Sequence, residues 1–74
     1  MKVVIITGCF GYIGKNLANF LLKKDVYVYG VDIFKIDIFD EYSNFKYISY
    51  EELNLFDLNH EIDVLYHLAW KGVS

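Results

Sequence analysis

The chain is predicted to fold as an α/β domain built on a parallel sheet with strand order 3-2-1-4. Three observations predict this. A β-branched run, Val3-Val4-Ile5-Ile6, stands at the front. The octet Thr7-Gly8-Cys9-Phe10-Gly11-Tyr12-Ile13-Gly14 follows it directly. A second apolar run, Val26 to Val31, ends in an acid, Asp32. Alternating strands and helices of this kind need crossover connections, and so a parallel sheet.

Taken in order, Val3 to Ile6 reads as a central strand buried on both faces, because it is continuous rather than alternating. After the glycine octet, Ile13, Leu17, Phe20 and Leu21 recur at helical spacing up to Lys24, with Asn16, Asn19, Lys23 and Lys24 on the other side. The two lysines suit the negative end of a helix dipole. Asp25 breaks the pattern, and Val26 to Val31 is the second strand. Residues 33–42 read as a connection with one helical turn, and Ser43-Asn44 as a turn. Phe45 to Ser49 reads as a third strand, Glu51 to Glu61 as a short helix with Leu53, Phe56 and Leu58 on its apolar side, and Asp63 to Ala69 as a fourth strand and its exit. That strand would be a flat apolar edge, open to self-association. The domain is therefore expected to continue beyond strand four.

The octet spaces its glycines as G-x-x-G-x-x-G. Gly8 permits a tight turn out of the first strand, Gly11 lets a pyrophosphate approach the backbone, and Gly14 lets the helix pack close to the strand. Tyr12 and Ile13 then present backbone N–H groups to phosphate at the helix start, beside Phe10. Asn16 stands where a magnesium-binding hydroxyl would follow Gly14-Lys15, so a P-loop fits poorly. Asp32 lies at the spacing of the acid that holds an adenosine ribose, and its charge would repel a 2′-phosphate. The expected cofactor is NAD rather than NADP, with Ile33 and Phe34 flanking the adenine.

His67-Leu68-Ala69-Trp70 falls at the carboxyl end of the fourth strand, where open α/β sheets keep their ligand crevice. His67 has no nucleophile or acid that the sequence places beside it, so a structural imidazole is expected. Trp70 either covers part of the cleft or packs. Cys9, His60 and His67 lack ligand spacing, and no metal site is expected.

Across the 74 residues the net charge is −3 and the sequence pI about 5.1, and the seven basic residues, all lysines, form no stripe for nucleic acid. Apolar runs fall short of the roughly 20 residues of a membrane span. A single cysteine and no leader pattern suggest a reducing, cytoplasmic setting.

The octet, Asp32 and Asp63-Val64-Leu65-Tyr66-His67-Leu68-Ala69-Trp70 together resemble the start of an extended short-chain dehydrogenase/reductase, the NAD-dependent epimerase/dehydratase group acting on nucleotide sugars. The resemblance covers essentially the whole chain. It implies a partial Rossmann fold over residues 1–74, truncated after strand four and without a second domain. Gly8, Gly11 and Gly14 would shape the pyrophosphate loop, Asp32 would hold the ribose, and Leu68 and Ala69 would line the cleft. Glu51 or Glu52 stands where the family keeps an acid near the adenine amino group. The resemblance implies that the family's catalytic Tyr-x-x-x-Lys pair lies well downstream, so no catalytic residue is assigned and a nucleotide-sugar substrate would belong to a longer enzyme. The alternatives are a non-enzymatic half-Rossmann module for interaction or redox sensing, and an atypical flavin or nucleotide binder.

Overall fold

The first strand, β1 (Lys2–Thr7), is β-branched through its middle and sits where such a run is favoured, between two parallel neighbours. The computed structural model describes residues 2–55 and 62–68. Within them β1 is followed by helix α1 (Tyr12–Leu22), strand β2 (Val26–Val31), a single 3-10 turn (Asp37–Phe39) and strand β3 (Phe45–Ile48). Helix α2 (Tyr50–Leu55) and strand β4 (Val64–His67) complete the order. All three strand pairs are parallel and the sheet runs β3-β2-β1-β4, the Rossmann-like order expected. The second half of the expected helix, including Phe56 and Leu58, lies outside the described residues.

Successive side chains of a strand point to opposite faces, and both faces of this sheet are used. Val4, Ile6, Val26 and Val28 pack with Cys9, Ala18, Leu22 and Phe39 on the α1 side. Ile5, Val31 and Ile48 pack with Tyr29, Tyr50, Leu53 and Ile62 on the other. No described helix is long and apolar enough to cross a membrane.

Helix α1 corrects one expectation. Its buried residues are Gly14, Ala18 and Leu22, while Ile13 and Phe20 are 55% and 58% exposed. Hydrophobic spacing alone picks the larger side chains. Leu17 and Leu21 do pack, partly buried, against the core, but the helix turns its Gly14–Ala18–Leu22 row to the sheet, where Gly14 and Ala18 allow the close approach. Phe20 covers itself partly with Lys24, whose Nζ lies 4.9 Å from the ring centroid. The helix ends as Lys24 N–H donates to Leu21 O at 2.9 Å, and Asp25 takes a left-handed turn at φ 60°.

Two side chains whose bonds the sequence does not foretell, Asn44 and Asp63, join the elements. The Asn44 amide donates to Leu22 O (3.1 Å) and Val26 O (2.8 Å), tying the end of α1 and the start of β2 to the turn before β3. The Asp63 carboxylate accepts Val3 N–H at 2.8 Å while Asp63 N–H donates to Val3 O at 2.8 Å, pinning the foot of β4 to β1. Gly30 makes room in mid-sheet. A Cβ there would stand 2.6 Å from the Phe45 ring and 2.7 Å from Cys9 Sγ.

Because both neighbours of Gly30 are packed, Gly30→Ala should destabilise the protein by about 1–3 kcal/mol through overpacking. Urea denaturation measures this, and an unchanged midpoint would contradict the packing described.

Candidate functional site

The glycine loop is folded back onto the carboxyl end of β2. Gly8 N–H and Cys9 N–H both donate to Val31 O, at 2.7 and 3.2 Å, and Gly11 N–H donates to Gly8 O at 3.0 Å. Gly8 has φ 75°, the left-handed region that glycine enters without steric cost. Gly14 is held for a different reason. A Cβ at Gly14 would lie 2.1 Å from Gly8 O and 2.9 Å from Gly8 C, both backbone atoms.

Gly11 differs from both. It is exposed and extended (φ −73°, ψ 172°), a conformation any residue adopts. A Cβ there would meet only Gly8 O, at 3.4 Å. The fold itself makes no steric demand for glycine at this position.

Gly11 is also the N-cap of α1, with no side-chain cap and no acid in the first turn. Helix geometry leaves the N–H groups of Tyr12, Ile13 and Gly14 without intrahelical partners. The helix thus presents uncapped donors and the positive end of its dipole beside an open backbone. The Tyr12 and Ile13 side chains are exposed.

Asp32 follows β2 directly. Its Oδ2 accepts Phe10 N–H at 2.9 Å and its Oδ1 accepts Ile33 N–H at 2.8 Å. Tyr47 of β3 donates its hydroxyl to Asp32 O at 3.0 Å. A register reading of β3 would have found Tyr47, which pairs with Gly30 two residues before Asp32. Ile33 and Phe34 are 73% and 76% exposed. Asp32 therefore stands between the glycine loop and an exposed apolar pair.

Phe10, placed by sequence among the cofactor residues, has its ring in an aromatic cluster. The ring stacks with Phe39 and Tyr47 at centroid distances of 6.2 and 6.1 Å. Its backbone, through the bond to Asp32, is what borders the site. Beneath the loop, burial first and then the charge of Asp32 push the Cys9 thiol up to about 12. Burial, then Asp32, likewise raises the Tyr50 phenol.

At the other side of β1, buried Thr7 shares a hydrogen bond with the exposed His67, Oγ1 to Nδ1, at 2.6 Å. The imidazole thus ties the ends of β1 and β4 together, as a structural histidine would. Leu68 N–H donates to Thr7 O at 3.1 Å and its side chain packs against the core on the α1 side. Ala69 and Trp70 lie outside the described residues. Glu52, one of two acids placed near an adenine, is engaged in a capping box with Ser49. Ser49 N–H donates to Glu52 Oε1 at 2.8 Å, and Glu52 N–H donates to Ser49 Oγ at 3.1 Å. Those bonds hold its carboxyl below the usual range. Glu51 is exposed. No group of three or more potential metal ligands occurs among the described residues.

The two glycines of α1 should separate by experiment. Gly14→Ala should cost at least about 1–3 kcal/mol, because backbone must move. Gly11→Ala should change stability by less than about 1 kcal/mol, because a weaker N-cap and a stiffer unfolded chain oppose each other. Thermal melts of the two variants check the contrast. A thiol held protonated by the fold adds stability that is complete below the unfolded value of 9.0 and is lost as pH rises toward about 12. Native protein at pH 8 should accordingly resist thiol reagents until it unfolds; rapid labelling of Cys9 without unfolding would contradict its burial. No known protein-family model matches the chain.

Proposed function

We propose that the β1–loop–α1 unit holds the pyrophosphate of a dinucleotide, NAD, in the manner of extended short-chain dehydrogenases/reductases of the epimerase/dehydratase group. The observation that carries this is Gly11. It is exposed, its conformation is open to any residue, and a Cβ would touch one atom at van der Waals distance. What a side chain there would obstruct is the approach of something from outside to the uncapped end of α1. A diphosphate suits that position, since it takes up backbone N–H groups and the helix dipole together.

The fold is compatible with a dinucleotide-binding surface in general, and the carboxylate argues for NAD. Asp32 stands at the end of β2, where ribose hydroxyls would be accepted and a 2′-phosphate repelled. Ile33 and Phe34 offer apolar surface to an adenine. In this proposal Gly8 and Gly14 maintain the loop, while Tyr12 and Ile13 bind through their amides. Leu68, Ala69 and Trp70 would border the nicotinamide side. NAD when bound would supply hydride chemistry. The residues on hand orient it; the one Tyr-x-x-x-Lys spacing, Tyr42 to Lys46, runs from the turn before β3 into that strand, with the Tyr42 hydroxyl donating to Asn19 Oδ1, and is given no part in the chemistry. A nucleotide sugar would be the substrate in the context of a longer enzyme, in a cytoplasmic setting. The edge strand β4, with Leu65 and Tyr66 exposed, would be the place for a further strand or a second copy.

Calorimetric titration of the chain with NAD tests the proposal. NAD should bind more tightly than NADP, and Gly11→Val should abolish binding while the protein stays folded. Equal affinity of Gly11→Val and wild type would remove the loop from the site, and a wild type that binds neither dinucleotide would sink the proposal.

A further inference from the structure

We infer that Asp32 is a positioning residue for the glycine loop, independent of any contact it makes to a ribose. The consequence for ligand binding rests on the proposed dinucleotide function; the effect on the loop does not.

The loop reaches β2 through three consecutive amides. Gly8 and Cys9 N–H both use the carbonyl of Val31, at 2.7 and 3.2 Å. Val31 O then already has two donors, which is what a carbonyl's two lone pairs accommodate. Phe10 N–H, next in the chain, donates to Asp32 Oδ2 at 2.9 Å. The side chain of Asp32 therefore continues an anchoring row that the main chain of β2 begins. The carboxylate is itself held, since Ile33 N–H donates to its other oxygen at 2.8 Å. Its backbone is held as well, by the Tyr47 hydroxyl on Asp32 O at 3.0 Å.

The residue after Phe10 is Gly11, the N-cap of α1. The Asp32–Phe10 bond is thus the loop's last tie to the end of β2 before the backbone that would receive phosphate, since the next amide, Gly11 N–H, turns back to Gly8 O within the loop. A carboxylate accepting N–H groups makes bonds roughly twice as strong as neutral ones. Each oxygen also keeps a second acceptor site, so ribose hydroxyls can be taken up with the latch closed. Asp32 then affects ligands that have no ribose at all, by setting the position of Gly11 and the first turn of α1.

This separates Asp32 from an ordinary ribose acid, a role that either aspartate or glutamate fills. Glutamate keeps the charge and the acceptors but moves both oxygens outward by one methylene. In ligand-free protein, Asp32→Glu and Asp32→Ala should both speed amide hydrogen exchange at Phe10, by on the order of tenfold or more for one lost charge-assisted bond. The amides of Val4 and Val28 should keep their protection, which shows that the sheet is intact. Unchanged exchange at Phe10 in Asp32→Ala would overturn the inference. Titration supplies the second arm, with inorganic pyrophosphate and NAD as probes. Asp32→Glu, which leaves the charge in place, should weaken both by similar factors. Weakened NAD with unchanged pyrophosphate would reduce Asp32 to a ribose contact and overturn the inference. A wild type that binds neither probe would remove the dinucleotide function, while exchange at Phe10 still decides the latch.

Discussion

The close approach of Gly14 to the carbonyl of Gly8 is the constraint that organises this half of the molecule. A Cβ at Gly14 would sit 2.1 Å from that oxygen, so the first turn of α1 lies directly on the turn out of β1. From this contact the orientation of the whole helix follows. The row Gly14, Ala18 and Leu22 faces the sheet, and Ile13 and Phe20 turn outward. The same contact brings the uncapped start of α1 beside the ends of β1 and β2, where the loop amides and Asp32 meet.

The three glycines of the octet therefore do three different things. Gly8 supplies a backbone conformation, Gly14 supplies proximity, and Gly11 supplies open space. Only the last is under no steric demand from the fold, which is why it bears on the proposed function. Around them the polar groups are shared economically. Val31 O serves two loop amides, the Asp32 carboxylate serves a third and the amide of Ile33, and the Asp32 carbonyl is taken by Tyr47. No buried side-chain nitrogen or oxygen among the described residues lacks a partner.

Much of the fold was legible in the order of residues. The continuous apolar strands, the glycine turn and the acid after β2 sufficed for the parallel sheet and its 3-2-1-4 order. Strand β2 was delimited to the residue, because Asp25 and Asp32 bracket it. The face of α1 was less legible. Hydrophobic periodicity weighs residues by polarity and is blind to their size, whereas the contact with Gly8 selects for smallness. The packing role of Phe10 was hidden too, since its partners Phe39 and Tyr47 come from distant parts of the chain. The capping box of α2 had a local signature, Ser49 followed three residues later by Glu52, and was readable as a cap.

The sequence by itself determined the elements, their parallel pairing and the glycine turn at which a ligand is proposed to bind. These depend on local propensity, on glycine and on charge at fixed spacing, all of which are properties of neighbouring residues. Only the tertiary structure decided what each group near that place is free to do. It turned Phe10 into the core, bound His67 to Thr7, engaged both oxygens of Asp32, and left Gly11 open. The physical reason is that hydrogen-bond donors and acceptors are shared between strands distant in sequence. Whether a carboxylate or an imidazole is spoken for is settled by its partner across the sheet.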